Sequence, residues 1–376
     1  MKKILIVATV QSHVAQFHLP IIEILKKQGY EIHVAGRNNL AIKSGLELNQ
    51  VDKIYDIPFK RTPFSMKNIE AYKKLKEVID NNNYDIIQCN TPVGGIITRL
   101  AAINTRKKGT KVIYTAHGFH FYKGAPLKNW ILYYPLEKAF SYFTDLLITI
   151  NFEDYYFAKK KFKCQVEHIF GVGVSSKKFY VHDENDVEIK KYIDKLGISN
   201  NDFCIICIGE LNENKSQITL IYAIHKIINE CPNIKLLLAG NGPKEEELKK
   251  LVYKLNLNNN IIFLGYTRKL DKIIPICECL VSCSLREGLP LNIIEALLCG
   301  KPVIASKNRG HVELVKNNEN GYLFESKNIE ECSRLIKKIY FDKETRNRLA
   351  KNSSISVEDY KLENVLKDLQ RFYNTF

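Results

Sequence analysis

Short runs of apolar, largely β-branched residues alternate with longer segments of helical periodicity along nearly the whole chain. This alternation is typical of βα units, in which parallel strands are buried on both faces by the connecting helices. The strand candidates form two series, KILIVATV, EIHVAG, DIIQCN, KVIYTAHG and DLLITI in the first and CIICIGEL, IKLLLAG, IIFLG, CLVSCS and PVIAS in the second. We therefore predict an α/β protein with two Rossmann-like, doubly wound parallel-sheet domains.

The places where the alternation stops indicate the domain boundaries. A chain of 376 residues is longer than one hydrophobic core usually organises. A polar, charged stretch interrupts the alternation near the middle of the chain. A helix-like segment follows the second series of strands and helices. We predict a first domain over 1–175, a linker over 176–200, a second domain over 201–355 and a C-terminal helix over 356–376. That helix is expected to pack back toward the first domain.

Ligands of open α/β sheets bind at the carboxyl ends of the strands, so two such domains are expected to face each other across a cleft. One candidate for binding follows a strand at 286–306, REGLPLNIIEALLCGKPVIAS, where Glu287 precedes a predicted helix and Glu295 lies inside it. The first-turn amides of such a helix are unpaired and favour a diphosphate. The two carboxylates can accept hydrogen bonds from sugar hydroxyls. In the alternative interpretation, Glu287 caps the helix and Glu295 is a solvated helix residue.

Three more motifs place a turn directly after a strand: GELNENKSQITLIYAI at 209–224, LAGNGPKEEELKKL at 238–251 and IIFLGYT at 261–267. Together with the two glutamates eight positions apart, they make the sequence resemble the retaining glycosyltransferases of family four, which have the GT-B architecture. The resemblance extends over essentially the whole chain and is densest in the second half. It implies an enzyme that uses a nucleotide sugar as its donor.

The resemblance also implies roles for individual residues. Glu287 is expected to contact the donor sugar and Glu295 the ribose, while Lys215 is expected on the donor diphosphate. Glu210 stands where an arginine on the diphosphate is common in the family. Lys215 and Glu287 are predicted to be catalytic. The predicted donor-binding residues are Gly209, Glu210, Lys215, Gly240, Asn241, Gly242, Gly265, Glu287, Gly288, Leu289, Pro290, Leu291, Asn292 and Glu295.

Two histidines of the first half are further candidates. The segment IYTAHGFHFYKG places His117 at a strand end, and the resemblance implies a catalytic position for it, facing the transferred sugar. The first strand-to-helix turn, ATVQSHVAQFHLP, has Gln11 and His13 where many family members have a glycine pair. These segments are similar to the capsule and exopolysaccharide subgroup. Gln11 and His13 are therefore predicted to contact the diphosphate or the acceptor.

Charge and aromatic residues concentrate in the first half. The chain has a formal net charge of +15, and residues 1–180 hold 27 basic and 14 acidic side chains. Residues 119–143 contain nine aromatic side chains with Lys123, Lys128 and Lys138 among them. This mixture suits the interface of an anionic membrane. In the alternative interpretation, the rings are ordinary core between the two domains.

No segment approaches the length of a membrane span, and the ten cysteines lack the spacing of a zinc site, so we expect reduced thiols. We predict a cytoplasmic protein that associates peripherally with the inner face of the cell membrane. The sequence has no D-x-D turn that would hold a divalent ion, so neither a metal nor another cofactor is expected.

These features together predict a retaining hexosyltransferase of bacterial surface polysaccharide synthesis. It would move a hexose or N-acetylhexosamine from a UDP-linked donor to a lipid-diphosphate-linked saccharide. One alternative is a nucleotide-sugar epimerase of the same fold, which would turn over the donor without an acceptor. A second is a non-enzymatic, basic membrane or nucleic-acid binder. The nearly neutral second half, which carries the motifs, argues against a nucleic-acid partner.

Overall fold

The computed structural model describes residues 1–41, 46–60, 62, 65–182, 186–199 and 201–376. They divide into two compact units. Unit 1 contains Met1–Gly173 and Glu363–Phe376, and unit 2 contains Val174–Leu362.

Unit 1 is built on a seven-stranded sheet. Its strands are β1 Lys3–Val10, β2 Glu31–Arg37, β3 Lys53–Asp56, β4 Ile86–Cys89, β5 Lys111–Ala116, β6 Leu146–Thr149 and β7 Gln165–His168. The helices among them are α1 Gln11–Phe17, α2 Leu19–Lys27, α3 Lys67–Asp80, α4 Pro92–Ala101, α5 Ile103–Lys107, α6 Leu127–Phe140 and α7 Phe152–Lys161. The spatial order is β3-β2-β1-β4-β5-β6-β7 with parallel pairing throughout. This is the Rossmann order with one added strand, and the order reverses between β1 and β4.

Strand β1 shows why these sequences form a covered parallel sheet. Every residue from Ile4 to Val10 is buried, because helices lie on both faces of the sheet. Leu5 and Val7, which point to the same face, belong to one apolar cluster with Leu75 of α3 and Ile97 of α4. The continuous apolar run therefore supplies core residues to both faces at once.

Unit 2 repeats the design with six strands. They are β8 Phe203–Ile208, β9 Ile234–Ala239, β10 Ile261–Gly265, β11 Cys279–Ser282, β12 Val303–Ser306 and β13 Gly321–Phe324. Its helices are α8 Val187–Leu196, α9 Gln217–Ile227, α10 Glu245–Lys254, α11 Leu270–Ile273, α12 Leu291–Leu298, α13 Arg309–Leu314, α14 Ile329–Phe341 and α15 Lys343–Ile355. The order β10-β9-β8-β11-β12-β13, again parallel, is the Rossmann order. The prediction of two doubly wound parallel sheets is confirmed.

Helix α8 lies within the stretch 176–200, which is predicted to be a linker. Asp186 caps the helix by accepting hydrogen bonds from the amides of Glu188 and Ile189. The helix packs in unit 2, where Glu188 forms an ion pair of 2.6 Å with Lys272 of α11. Positions 183–185 and 200 of this stretch lie outside the described residues.

The chain ends with α16, Leu362–Asn374, which belongs to unit 1 from Glu363 onward. Val365, Leu369 and Phe372 recur at helical spacing and form its buried face. The Tyr373 hydroxyl, also buried, donates a hydrogen bond to the side-chain oxygen of Gln88 on β4. This helix therefore completes the packing of unit 1 with residues from the far end of the sequence.

All ten cysteines are free thiols, as predicted, and nine of them are buried. Among the described residues, no helix combines the length and the apolar character that crossing a bilayer requires.

Candidate functional site

The loops that follow β8 and β9 pack backbone against backbone at the carboxyl edge of the unit 2 sheet. Gly240 has a positive φ of 146°, and a Cβ atom at this position would lie 2.0 Å from the carbonyl oxygen of Gly209. A Cβ atom at Gly209 would itself lie 2.9 Å from the Lys215 side chain. Only glycine is compatible with both approaches. The two glycines thus let the Lys215 side chain lie directly over the end of β8.

Lys215 and Glu287, predicted separately for the diphosphate and the sugar, form an ion pair. The distance between Lys215 Nζ and Glu287 Oε1 is 2.7 Å, and both side chains are partly buried. Adjacent strands β8 and β11 bring their loops together, and the backbone fixes them further. Asn214 Nδ2 donates to the Arg286 carbonyl at 3.0 Å, and the Leu285 amide donates to the Asn214 carbonyl at 2.7 Å. The sequence motifs therefore converge on one rigid edge.

Helix α12 begins immediately after this edge, with Pro290 as its extended N-cap residue and no side-chain cap. The alternative in which Glu287 caps the helix is therefore not observed. Pro290 has no N–H, so four backbone amides remain as donors among the predicted donor-binding residues 288–292. The N–H groups at positions 288, 289, 291 and 292 donate to no residue that the structure describes. Uncapped amides at the N-terminus of a helix attract anions. The N-terminus of α12 with these four amides, the mouth of the helix, can therefore receive a phosphate.

Glu295 lies one turn inside α12. Burial raises the pKa of its carboxyl group to about 7, Lys178 opposes this rise, and Asp271 adds to it. Within the described residues, no hydrogen bond or ion pair holds this carboxylate. A poorly solvated carboxylate without a partner is a strong acceptor for a ligand hydroxyl.

The remaining predicted donor residues shape the same edge. The Gly240 amide donates to the Gly265 carbonyl at 2.9 Å, and the Leu211 amide donates to the Asn241 carbonyl at 3.0 Å. Asn292 of α12 donates through Nδ2 to the Ile208 carbonyl at 3.0 Å, which ties the helix to the end of β8. Exposed Glu210 accepts a hydrogen bond from Asn212 and does not replace the missing arginine.

Sequence reasoning missed His311, which lies buried beneath the Glu287 loop. Its Nδ1 lies 2.6 Å from the Ser306 carbonyl oxygen and 2.9 Å from Nδ2 of Asn308. Its Nε2 lies 3.2 Å from the Ser282 hydroxyl. Burial lowers the pKa of His311 to about 4, so the ring is neutral.

Helix α13, which carries His311, is held close to the Glu287 loop. Its first turn is capped by Asn308, whose side-chain oxygen accepts from the amides of Gly310 and His311. A Cβ atom at Gly310 would lie 2.7 Å from the Gly288 carbonyl oxygen. An asparagine cap two positions after the strand PVIAS was the sequence signal available for this support.

In unit 1 the structure brings His13 and His117 together, although they are far apart in the sequence. Their ring centroids are 4.9 Å apart. Burial lowers the pKa of His117 to about 3 and that of His13 to about 4, so both rings are neutral near pH 7. Gln11 is buried and donates through Nε2 to the Gly36 carbonyl at 3.0 Å, which ties α1 to β2.

The loop after His117 is fixed by Asp154 of α7. The Asp154 carboxylate accepts a hydrogen bond from the Phe119 amide at 2.8 Å and another from Asn151 Nδ2 at 2.9 Å. Gly118, with a φ of 114°, lets the chain turn between His117 and this anchor. His117 is therefore held on a rigid turn at the end of β5.

Many of the aromatic rings in 119–143 belong to the apolar core of unit 1. Phe119 and Phe121 are buried and stack at 4.8 Å, and the Trp130 ring lies 5.5 Å from Phe121. The outer face of α6 is different. Leu127 and Ile131, one turn apart, are 73% and 68% exposed.

Two Rossmann-type units, the second with an uncapped helix mouth beside a Lys–Glu pair, define the GT-B class of glycosyltransferase. The family model "Glycosyl transferase 4-like" matches residues 3–151, and the model "Glycosyl transferases group 1" matches residues 188–355. The chain is also 38% identical to EpsD of Bacillus subtilis (strain 168), which is provisionally named a glycosyltransferase. That alignment covers 100% of this chain and 97% of EpsD. The chain thus belongs to the family four glycosyltransferases, as predicted.

Two further comparisons are informative. The UDP-Gal:alpha-D-GlcNAc-diphosphoundecaprenol alpha-1,3-galactosyltransferase of Escherichia coli is 29% identical over 77% of this chain and 76% of its own length. The crystal structure of Anabaena HepE in complex with UDP and glucose superposes with a TM-score of 0.81 at 21% identity, covering 100% of both chains. The similarity to HepE, at 21% identity, shows a shared fold and nothing more.

Proposed function

We propose that this protein transfers a hexose or N-acetylhexosamine, with retention of anomeric configuration, from a UDP-sugar to a lipid-diphosphate-linked saccharide. The process it would serve is the assembly of a bacterial capsule or exopolysaccharide. The observation that carries the proposal is the Lys215–Glu287 pair at the uncapped mouth of α12. This edge of a Rossmann-type sheet carries a cation, a carboxylate and four amides that donate to no residue the structure describes. A sugar diphosphate needs these groups together.

The chemistry of transfer explains this combination. When the bond between the sugar and the diphosphate breaks, negative charge grows on the phosphate oxygens and positive charge on the sugar ring. Fixed donors at the leaving group and a carboxylate near the ring stabilise both charges. We assign Lys215 and the amides of the α12 mouth to the leaving diphosphate, Glu287 to the sugar and Glu295 to the ribose. His117, neutral near pH 7, can exchange hydrogen bonds with a sugar hydroxyl but cannot neutralise a phosphate.

A lipid-linked acceptor is supported by two observations. The Escherichia coli relative is named for a saccharide on diphosphoundecaprenol. The outer face of α6 exposes Leu127 and Ile131 next to the exposed Lys128. Apolar side chains with lysines beside them suit the surface of an anionic membrane, where such an acceptor resides. We propose that this face contacts the cytoplasmic leaflet.

The test is a transfer assay with UDP-glucose, UDP-galactose and their N-acetylated counterparts. The acceptor is a short synthetic lipid diphosphate that carries one N-acetylhexosamine. Mass spectrometry should show one added sugar with one of these donors, and nuclear magnetic resonance should show the anomeric configuration of the donor retained in the product. Glu287→Gln should lose most of this transfer, whereas Glu344→Gln, a substitution of an exposed acid in the same unit, should not. Donor turnover that is independent of any acceptor would contradict the proposal and favour an epimerase.

A further inference from the structure

Three histidine side chains meet at the carboxyl edge of the unit 1 sheet. His13 lies in α1 directly after β1, His18 ends that helix, and His117 follows β5. Their ring centroids are 5.4 Å apart for His13 and His18, 4.9 Å for His13 and His117, and 6.2 Å for His18 and His117. One nitrogen from each ring lies within 4.8 Å of the others. Across the described residues, no second group of three potential metal-ligating side chains comes this close.

The Nε2 atoms of all three rings are buried and have no hydrogen-bond partner. A buried polar atom without a partner costs about 1–3 kcal/mol, so native structures rarely contain one. Three such atoms lie together in this cluster, where one ligand can satisfy all of them.

The cluster has the protonation state that a metal requires. Burial lowers the pKa of His18 well below its usual value, and the neighbouring His13 and His117 lower it further. The neutral imidazole is the form that binds metal ions. A neutral cluster also offers no charge to attract an anion.

Imidazole nitrogens select zinc and its neighbours among the divalent transition metals, whereas magnesium and calcium require oxygen ligands. Zinc binds imidazole nitrogen at about 2.0–2.1 Å, which places tetrahedral ligands about 3.3 Å apart. The ring nitrogens lie up to 4.8 Å apart, so each pair needs to move closer by at most about 1.5 Å. Side-chain rotation can supply this movement. Three protein ligands leave a fourth position open to water.

We propose that His13, His18 and His117 form a binding site for one divalent transition-metal ion, Zn²⁺ in particular, and that its occupation inhibits sugar transfer. The inhibition rests on the proposed function, because an ion on His117 removes the ring from contact with the transferred sugar. The binding of the ion does not depend on the proposed function. The metal-free protein is then the active form, in agreement with a transfer reaction that needs no metal.

Binding is tested on the full chain after treatment with a chelator and desalting. Co²⁺ serves as the visible probe, and equilibrium dialysis measures Zn²⁺. We expect one ion per chain, with d–d absorption but without the intense near-ultraviolet band that a thiolate ligand would add. His18→Gln should weaken binding by more than the roughly 10–100-fold that loss of an outer-shell partner costs. The control, His225→Gln on the exposed face of α9, should bind as the wild type does.

Undiminished binding by His18→Gln would overturn the site. His13→Gln provides a second test of binding if His18→Gln fails to fold.

Inhibition is tested in the transfer assay at increasing Zn²⁺. Wild-type turnover should fall as the site fills and should return when a chelator is added, while His18→Gln should keep its turnover at the same Zn²⁺ concentration. A bound ion that leaves wild-type turnover unchanged would overturn the inhibitory role. Absence of transfer in the metal-free protein would instead refute the proposed function, and Co²⁺ binding would still be measurable.

Discussion

Lys215 Nζ lies 2.7 Å from Glu287 Oε1, so the cation expected on the donor diphosphate is paired with the carboxylate expected on the donor sugar. In the absence of donor, each side chain neutralises the other and neither charge is left unpaired in a partly buried site. We expect a diphosphate that enters the mouth of α12 to compete with Glu287 for Lys215. The carboxylate released in this exchange becomes available to a sugar hydroxyl.

This exchange predicts opposite effects of the two partners on UDP binding. Lys215→Met should weaken UDP binding by about 10–100-fold, because a hydrogen bond to a charged group contributes about 1.5–3 kcal/mol. Glu287→Gln should bind UDP at least as tightly as the wild type, since Lys215 is no longer held by a carboxylate. Isothermal titration calorimetry with UDP measures both, and exposed Lys250→Met is the matched control. Equal affinity of Lys215→Met and the wild type would contradict the role of Lys215.

Glu295 predicts a pH dependence of stability. Its pKa is about 7 in the folded protein because of burial, against an ordinary value of 4.5. The folded state therefore keeps a proton that the unfolded state loses, so this contribution to stability is fully present below pH 4.5 and is lost as the pH rises to about 7. Glu295→Gln has no carboxyl group at this position and therefore avoids the loss of stability at high pH. It should stabilise the protein at pH 8 by at most about 3 kcal/mol and have little effect at pH 4.5.

Thermal melting of wild type and Glu295→Gln at these two pH values measures the effect. Glu344→Gln, an exposed acid of the same unit, should show no such difference between the two pH values. A Glu295→Gln effect that is equal at pH 4.5 and pH 8 would mean that the carboxyl group does not titrate as described.

The groups at the mouth of α12 predict that transfer is independent of divalent metal. Lys215 and the amides at 288, 289, 291 and 292 can stabilise the leaving diphosphate without an added cation. The transfer rate should therefore be unchanged in excess chelator, with the product measured directly so that no coupling enzyme needs magnesium. A large loss of rate that magnesium restores would refute this prediction.

The sequence predicted the features that depend on local pattern. Buried strands such as KILIVATV are continuous apolar runs because both faces of the sheet are covered, and the runs are visible without coordinates. The Glu287 loop and the start of α12 were located because turn residues and helix signals occur at fixed offsets from a strand. The paired role of Lys215 and Glu287 was not predicted, since two separate motifs each suggested a different ligand group.

What the sequence could not predict are the side-chain relationships between distant segments. The local pattern around His18 or His311 resembles that of many helix-end residues, and only the strand order brings His18 toward His117. The position of the aromatic rings of 119–143 was equally undetermined. The same composition fits a core or a membrane face. Helix α6 packs Trp130 and Tyr134 against the apolar core of unit 1 and exposes Leu127 and Ile131 on its other side.

The exposed side of α6 predicts membrane binding that depends on two apolar residues. The double variant Leu127→Ser, Ile131→Ser should bind anionic vesicles at least about 10-fold more weakly, because each buried CH₂ group contributes about 0.8 kcal/mol and loss of only two of them accounts for a tenfold change. Co-sedimentation with vesicles that contain phosphatidylglycerol measures the partition. The control is Tyr253→Ser, Ile355→Ser, which removes two equally exposed apolar side chains from unit 2. Equal loss in both double variants would contradict a specific role of α6.

The buried pair of Arg99 on α4 and Glu137 on α6 predicts a large effect on stability. Arg99 Nη2 lies 2.8 Å from Glu137 Oε2, Arg99 Nε donates to the Gly95 carbonyl at 3.0 Å, and the guanidinium lies 4.1 Å from the Tyr114 ring centroid. Glu137→Leu should destabilise the protein by about 3–5 kcal/mol, because it leaves a buried guanidinium without its counter-charge. The double variant Arg99→Met, Glu137→Leu should recover much of this loss, since an apolar pair needs no counter-charge.

Denaturation with urea, followed by the fluorescence of Trp130 in the same unit, measures these differences. Lys74→Met, which breaks the exposed ion pair with Glu70 on α3, should cost far less. A loss in the double variant as large as that in Glu137→Leu would show that packing, and not the unpaired charge, determines the effect.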